Sequence, residues 1–160
     1  MNLNEIHDLI NCLKRILHQN STIPIPNQGS KEKIELTSTK YSFVVDLNRS
    51  GHKKPKCTFQ LRAQHYRDTP LLRLDLIGRA HSNPPGDYPL ANERIPCPHI
   101  HIIHPDYGDK IAYPLDDSYA KMYLKDESLE DLAYVLKQFL KRCNVGNIDE
   151  YEYQYHLDLF

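Results

Sequence analysis

The chain has 160 residues, 40% hydrophobic and 26% charged. That is the composition of a single globular domain, 1–160, and it excludes wholesale disorder. No apolar run approaches the ~18 residues of a membrane span, and the acid-bearing N-terminus lacks the pattern of a signal peptide. A cytoplasmic protein with no membrane partner is expected.

The net charge of −1 hides an asymmetry: residues 46–80 carry eight Lys and Arg against three acids, and residues 105–160 carry twelve acids against six Lys and Arg. One region then attracts phosphates and the other repels them, unless the two neutralise each other across the fold. Cys12, Cys57, Cys97 and Cys143 lie 40 or more residues apart with no C-x-x-C, which reads as reduced, mostly buried thiols.

In chain order, Leu3, Ile6, Leu9, Ile10, Leu13, Ile16 and Leu17 have the i, i+3, i+4, i+7 spacing of an amphipathic helix, predicted over 1–19 with Asn2 or Asn4 as cap. Residues 20–30, with Pro24, Pro26 and Gly29, read as a connector. A β-rich region, 31–115, follows. Lys31 to Ser38, Tyr41 to Leu47, Lys56 to His65 and Leu72 to Ile77 alternate with period two on short connections, as an antiparallel meander does. His99 to His104 and Lys110 to Leu115 add two short strands around the hairpin signal Pro105-Asp106-Tyr107-Gly108-Asp109. Between them, 79–98 holds five prolines and no periodicity, which marks a functional loop. A second helix is predicted over 128–143, opened by Ser128-x-x-Asp131 and closed by Asn144 or Gly146. The tail 147–160 alternates, with Tyr151, Tyr153 and Tyr155 on one face, as a strand that joins the sheet or a partner. The fold class expected is α+β: a twisted antiparallel sheet of about five to seven strands, with an N-terminal and a C-terminal helix packed on one face.

Four of the nine histidines, His81, His99, His101 and His104, fall within 24 residues. Side chains two apart on a strand share a face at ~6.6–6.8 Å, so His99 and His101 stand side by side while Ile100 and Ile102 enter the core; His104 has the opposite parity. Imidazole gives and takes protons near neutrality. A same-face pair therefore fits acid and base roles in phosphoryl transfer without metal or cofactor. In that reading His99 and His101 are acid and base, His81 and Arg79 (or Arg73) bind phosphate, and Tyr113 orients. A metal site is a competing reading: H-x-H supplies two ligands, His81 or His104 a third, and Asp87, Asp106 or Asp109 a fourth. The Glu of a cupin-like pattern is absent, and the third histidine of a nucleotide-hydrolase triad would stand at 103, not 104. The remaining alternative is structural, with the histidines pinning the proline-rich loop through its carbonyls.

Lys53, Lys54 and Lys56 on a hairpin tip, with Arg62 and Arg67, are the candidate nucleic-acid contacts. The carboxylates Asp126, Glu127, Glu130 and Asp131 suit the positive end of a helix.

The ordered set His81-Ser82-Asn83-Pro84-x-Gly86, Pro98-His99-Ile100-His101-Ile102, Tyr107-Gly108, Ala112-Tyr113-Pro114-Leu115 and Phe139-Leu140-x-x-Cys143-Asn144 resembles an uncharacterised family of small bacterial proteins. The resemblance covers roughly residues 35–145. It implies the setting of an accessory genome or mobile element, with members like toxin–antitoxin or phage-defence cargo, and implies no chemistry. His104 stands where relatives more usually carry an aromatic residue.

Together these features lead to a small nucleic-acid-directed protein of a mobile or defence locus, a toxin-like ribonuclease or other phosphodiester-cleaving enzyme with RNA as partner. The rival class is a non-catalytic inhibitor that docks on an antitoxin, host or defence protein through the Tyr151–Tyr155 tail. A homodimer fits either class.

Overall fold

The structure is a computed structural model that describes residues 1–50, 56–116 and 118–155. Helix α1 is Leu3–Asn11, followed by strands β1 (Arg15–Ile16), β2 (Thr22–Ile25), β3 (Lys31–Thr37), β4 (Ser42–Asn48), β5 (Cys57–Ala63), β6 (Leu72–Ile77), β7 (His81–Ser82), β8 (Arg94–Ile95), β9 (His99–Ile102) and β10 (Ala112–Pro114). Helix α2 (Leu132–Arg142) and strand β11 (Glu152–Tyr155) complete the chain. Seven strands form one antiparallel sheet in the order β1-β3-β4-β5-β6-β9-β10. The fold is α+β.

Period-two alternation gives this sheet two unlike faces. Ile34, Leu36, Phe43, Val45, Leu47, Phe59, Leu61, Leu74 and Ile100 are buried on one of them. Both helices belong to the same core, through Ile6, Leu9 and Ile10 of α1 and Val135, Leu136, Phe139 and Leu140 of α2. The Phe59 and Phe139 rings meet across it with centroids 6.2 Å apart. The opposite face has no helix on it among the described residues and carries polar side chains.

The first helix is shorter than its apolar spacing predicts. Asn2 caps it, its Oδ1 accepting from Glu5 N at 2.8 Å, and it ends at Asn11. Beyond that point Arg15 and Ile16 pair with β3, so Ile16 is buried as a strand residue while Leu13 and Leu17 are exposed. The cause of the break is Lys14. Its fully buried ammonium donates to the carbonyls of Ile10 (2.8 Å), Cys12 (3.0 Å) and Cys143 (2.8 Å). One cation thereby closes the C-terminal ends of both helices, where the peptide dipoles are negative. Burial lowers its pKa.

The second helix starts later than Ser128. Asp126–Ser128 is a single 3-10 turn, and Asp131 is the cap, accepting from Tyr134 N at 3.2 Å. Asn144, with φ of 60°, ends it. The left-handed region favours Asn among non-glycine residues.

The region 20–30 is not a bare connector. Thr22–Ile25 pairs in parallel with β11, in the register Thr22–Glu152 to Ile25–Tyr155. The tail therefore belongs to the fold over this stretch. Tyr153 is buried and its hydroxyl donates to the Ile148 carbonyl at 2.9 Å, whereas Tyr155 is exposed. Likewise 79–98 is not structureless: β7 and β8 pair within it. Among the described residues no helix is long and apolar enough to cross a membrane.

Candidate functional site

The register lays two polar rows across four adjacent strands of the open face. One runs Asp46, Gln60, Arg73, His101, and the other Asn48, Thr58, Asp75, His99. Directly opposed residues share a face, so the H-x-H of β9 meets the R-x-D of β6 side by side. The His99 and His101 rings lie 5.0 Å apart between centroids, with Ile100 between them pointing into the core.

The segment 79–98 closes over this corner. Asn83 is its anchor: buried, it accepts from Ala112 N at 2.8 Å and donates to the carbonyls of Ala112 (2.9 Å) and Leu90 (3.1 Å). Gly86 lies against the rings of Tyr107 and Tyr88, where any Cβ would collide with both. The Cys97–Pro98 peptide is cis. So held, the loop puts His81 beside the pair, its ring centroid 4.6 Å from His101 and 6.2 Å from His99. His99 and His101 become 1% exposed, while His81 is half-buried.

Each ring is fixed by a backbone carbonyl. His99 Nδ1 faces the carbonyls of Ile95 (3.1 Å) and Pro96 (3.3 Å), His101 Nδ1 that of Asp109 (2.8 Å), and His81 Nε2 that of Lys110 (2.6 Å). The second nitrogens of the buried pair converge on one carboxylate: Asp75 Oδ2 is 3.0 Å from His99 Nε2 and 3.3 Å from His101 Nε2. His81 Nδ1 has no hydrogen-bond partner among the described residues. Since its Nε2 meets a carbonyl, Nε2 carries the hydrogen and Nδ1 the lone pair.

Arg73 completes the cluster. It bonds Asp75 Oδ1 at 3.2 Å and Asp109 at 3.3 Å, and its Nη2 lies 3.0 Å from His101 Nε2. Thr58 donates to Asp75 Oδ1 at 3.2 Å. Burial alone would push the Asp75 carboxyl up; the bonds from His101 and His99 and the charge of Arg73 outweigh it and hold the group well below the usual carboxylate range. His81 is lowered from its ordinary value by burial first, then by the charges of His101, His99 and Arg73, against the bond to Lys110. Burial pushes the Cys97 thiol up to about 11.

These groups line a cavity of about 940 Å³ together with Lys56, Gln60, Arg79 and Cys97, a volume in the range of small-molecule sites. Asn48, Thr58 and Gln60 are shared with a second hollow of about 600 Å³, lined by Lys31, Lys33, Arg62 and Arg67 among others. The two make a continuous track along the open face. Seven Lys and Arg line it against three carboxylates, which favours an anionic occupant.

Of the residues singled out in the sequence, the fold brings His81, His99, His101 and Arg79 to one cavity, with Lys56 at its wall. Tyr113 is not brought there. It opposes Ile100 in the β9–β10 register, so it is on the core side of the sheet, stacked on Tyr119 at 5.5 Å. His104 lies apart, its ring 5.1 Å from Tyr107 and its Nδ1 accepting from Asp106 N. Arg62 is clasped by Asp46 at 2.5 and 3.0 Å, so much of its charge is spent within the fold. Arg67 is exposed in the second hollow. Lys53 and Lys54 lie outside the described residues.

Asp75 is the candidate site residue that spacing in the sequence does not reveal. Strand parity carried the signal, since Arg73 and Asp75 alternate with Leu72, Leu74 and Leu76. What the sequence lacked was the pairing of β6 with β9, across the whole of 79–98.

The model of a family of unknown function, DUF6978, matches residues 1–145. The chain belongs to the DUF6978 family. No curated protein and no solved structure matches it. The DUF6978 match takes in every residue of the cluster and stops short of β11.

Proposed function

We propose that the cationic track binds RNA and that the histidine corner cleaves its phosphodiester bonds. The observation that supports this most is the placement of one half-exposed imidazole, His81, with its Nδ1 lone pair unengaged among the described residues, on the wall of a groove in which cations outnumber carboxylates seven to three. His99 and His101 cannot trade protons freely, because every ring nitrogen of the pair is engaged by protein groups. The base role therefore passes to His81.

In this reading His81 Nδ1 takes the proton of a ribose 2′-hydroxyl. The freed oxygen attacks phosphorus, the bond to the 5′-oxygen breaks, and that oxygen takes a proton from solvent, leaving a 2′,3′-cyclic phosphate. Arg79 and Lys56 hold phosphate charge at the cavity wall, and Arg73 extends that charge to its floor. The setting in a mobile or defence locus, as a toxin-like cargo, is part of the same proposal and rests on the motif resemblance. Induced expression in a bacterial host tests it: the wild-type chain should arrest growth and fragment RNA, and H81A should do neither. Full activity of H81A would remove the assignment.

A second reading, docking on a partner protein, is supported by β11 having a strand on one edge only among the described residues, beside exposed Tyr155. Loss of partner capture in Y155A with an unchanged melting temperature would favour it; unchanged capture would dismiss it.

A further inference from the structure

We infer that Asp75, His99 and His101 form a three-ligand site for a divalent transition-metal ion at the floor of the cavity. Their ligand atoms all lie within 4.8 Å of one another. The separations of Asp75 Oδ2 from the two Nε2 atoms, 3.0 and 3.3 Å, are those of neighbouring ligands around one tetrahedral ion, ~3.3 Å for bonds of ~2.0–2.1 Å.

The surroundings carry the inference further. A metal-binding histidine needs its other nitrogen held by a carbonyl or carboxylate, which fixes the tautomer and aims the ring. Both rings have this. Carbonyls of Ile95 and Asp109 take the Nδ1 hydrogens and leave the two Nε2 atoms pointing at the same carboxylate. Thr58 and Arg73 Nε hold Asp75 Oδ1, and Oδ2 faces the rings with Arg73 Nη2 3.4 Å away. Once the ion takes the place of any Nε2 hydrogen, two imidazoles and one carboxylate suit zinc, cobalt or ferrous iron better than magnesium or calcium, which take oxygen ligands. Three protein ligands leave coordination positions open, and the cavity with His81 lies beside them.

Arg73 opposes the ion. Its Nη2 is 3.0 Å from His101 Nε2, the atom that must ligate. Binding exchanges this contact, and the 3.4 Å contact of the same Nη2 with Asp75 Oδ2, for metal bonds, while Arg73 keeps Asp109 and Asp75 Oδ1. The guanidinium therefore sets the affinity below what the three ligands alone would give.

The site deepens the ribonuclease reading, and rests on it only for the substrate; metal binding itself is testable without RNA. The probe is Co²⁺ alone, titrated into the 160-residue protein freed of metal by chelator, followed by visible absorption and calorimetry. We expect one Co²⁺ per chain, displaced by Zn²⁺. H99Q and H101Q should each weaken it by about 100-fold, and R73Q should tighten it by about tenfold, whereas H81Q should change it by no more than about twofold. The gain in R73Q is an effect that misfolding does not produce. No stoichiometric binding by the wild type, or wild-type affinity retained in H99Q and H101Q, overturns the site. Binding of Co²⁺ without RNA cleavage would keep the site and remove the ribonuclease. RNA cleavage that persists in chelator, with no Co²⁺ binding, would do the reverse.

Discussion

Asp75 Oδ2 lies 3.0 Å from His99 Nε2 on the neighbouring strand, and the two residues are directly opposed in the β6–β9 register. A carboxylate and an imidazole, both largely out of water, thus satisfy each other at the centre of the open face. Removing one partner leaves the other desolvated. Asp75→Ala should lower the unfolding free energy by about 3 kcal/mol, read as a lower urea midpoint at unchanged slope. A midpoint equal to wild type would show that the pair contributes nothing to folding.

Lys14 should prove as important to stability as any apolar core residue. Its ammonium satisfies three carbonyls at the ends of both helices. Lys14→Met keeps most of the apolar stem but strands those acceptors, at about 1–3 kcal/mol for each group left dry. A loss of roughly 3 kcal/mol in urea unfolding is expected, while a variant as stable as wild type would contradict the capping role.

The alkaline limb of stability has identifiable sources. Burial pushes Cys57 up to about 11 and Cys143 up to about 12. A thiol with a raised folded pKa adds stability in full below its unfolded value, ~8.5; that stability is lost as pH rises from there toward 11 and 12. Stability should therefore fall between about pH 9 and 11, and less steeply in C57A. Equal slopes for C57A and wild type would assign the limb to other groups.

Salt dependence separates the cations of the track. Lys56 and Arg79 are exposed at the cavity wall, whereas Arg62 is neutralised by Asp46. On single-stranded RNA, K56A and R79A should each reduce the slope of log K against log salt by about 0.7, and R62A by much less. A flat response of the wild type would exclude phosphate tracking altogether.

The fold was legible in the sequence where alternation was clean. The meander from Lys31 to Ile77 and the β9–β10 hairpin follow their apolar parity, and so does the side-by-side placement of His99 and His101. Parity failed where a single polar residue overrode it. The spacing of Leu13, Ile16 and Leu17 continues a helix, but Lys14 turns inward to cap two helices, and the chain leaves as a strand. Two of its acceptors, Ile10 and Cys12, are local, but the one that ties it to the second helix, Cys143, is 129 positions away. The site was half legible for a similar reason. The histidines announce themselves by spacing, whereas Asp75 joins them only through a strand pairing that skips 79–98. Tyr113 is on the strand next to the histidines but on the other face of the sheet, since the register opposes it to Ile100.

The most direct measurement is cleavage of an end-labelled single-stranded RNA by purified wild-type protein and by H81A, at low salt, with and without added Zn²⁺. Wild type should yield fragments ending in 2′,3′-cyclic phosphate, and H81A, folded by circular dichroism, should yield none. Intact RNA in every wild-type lane, or equal cleavage by H81A, would contradict the account.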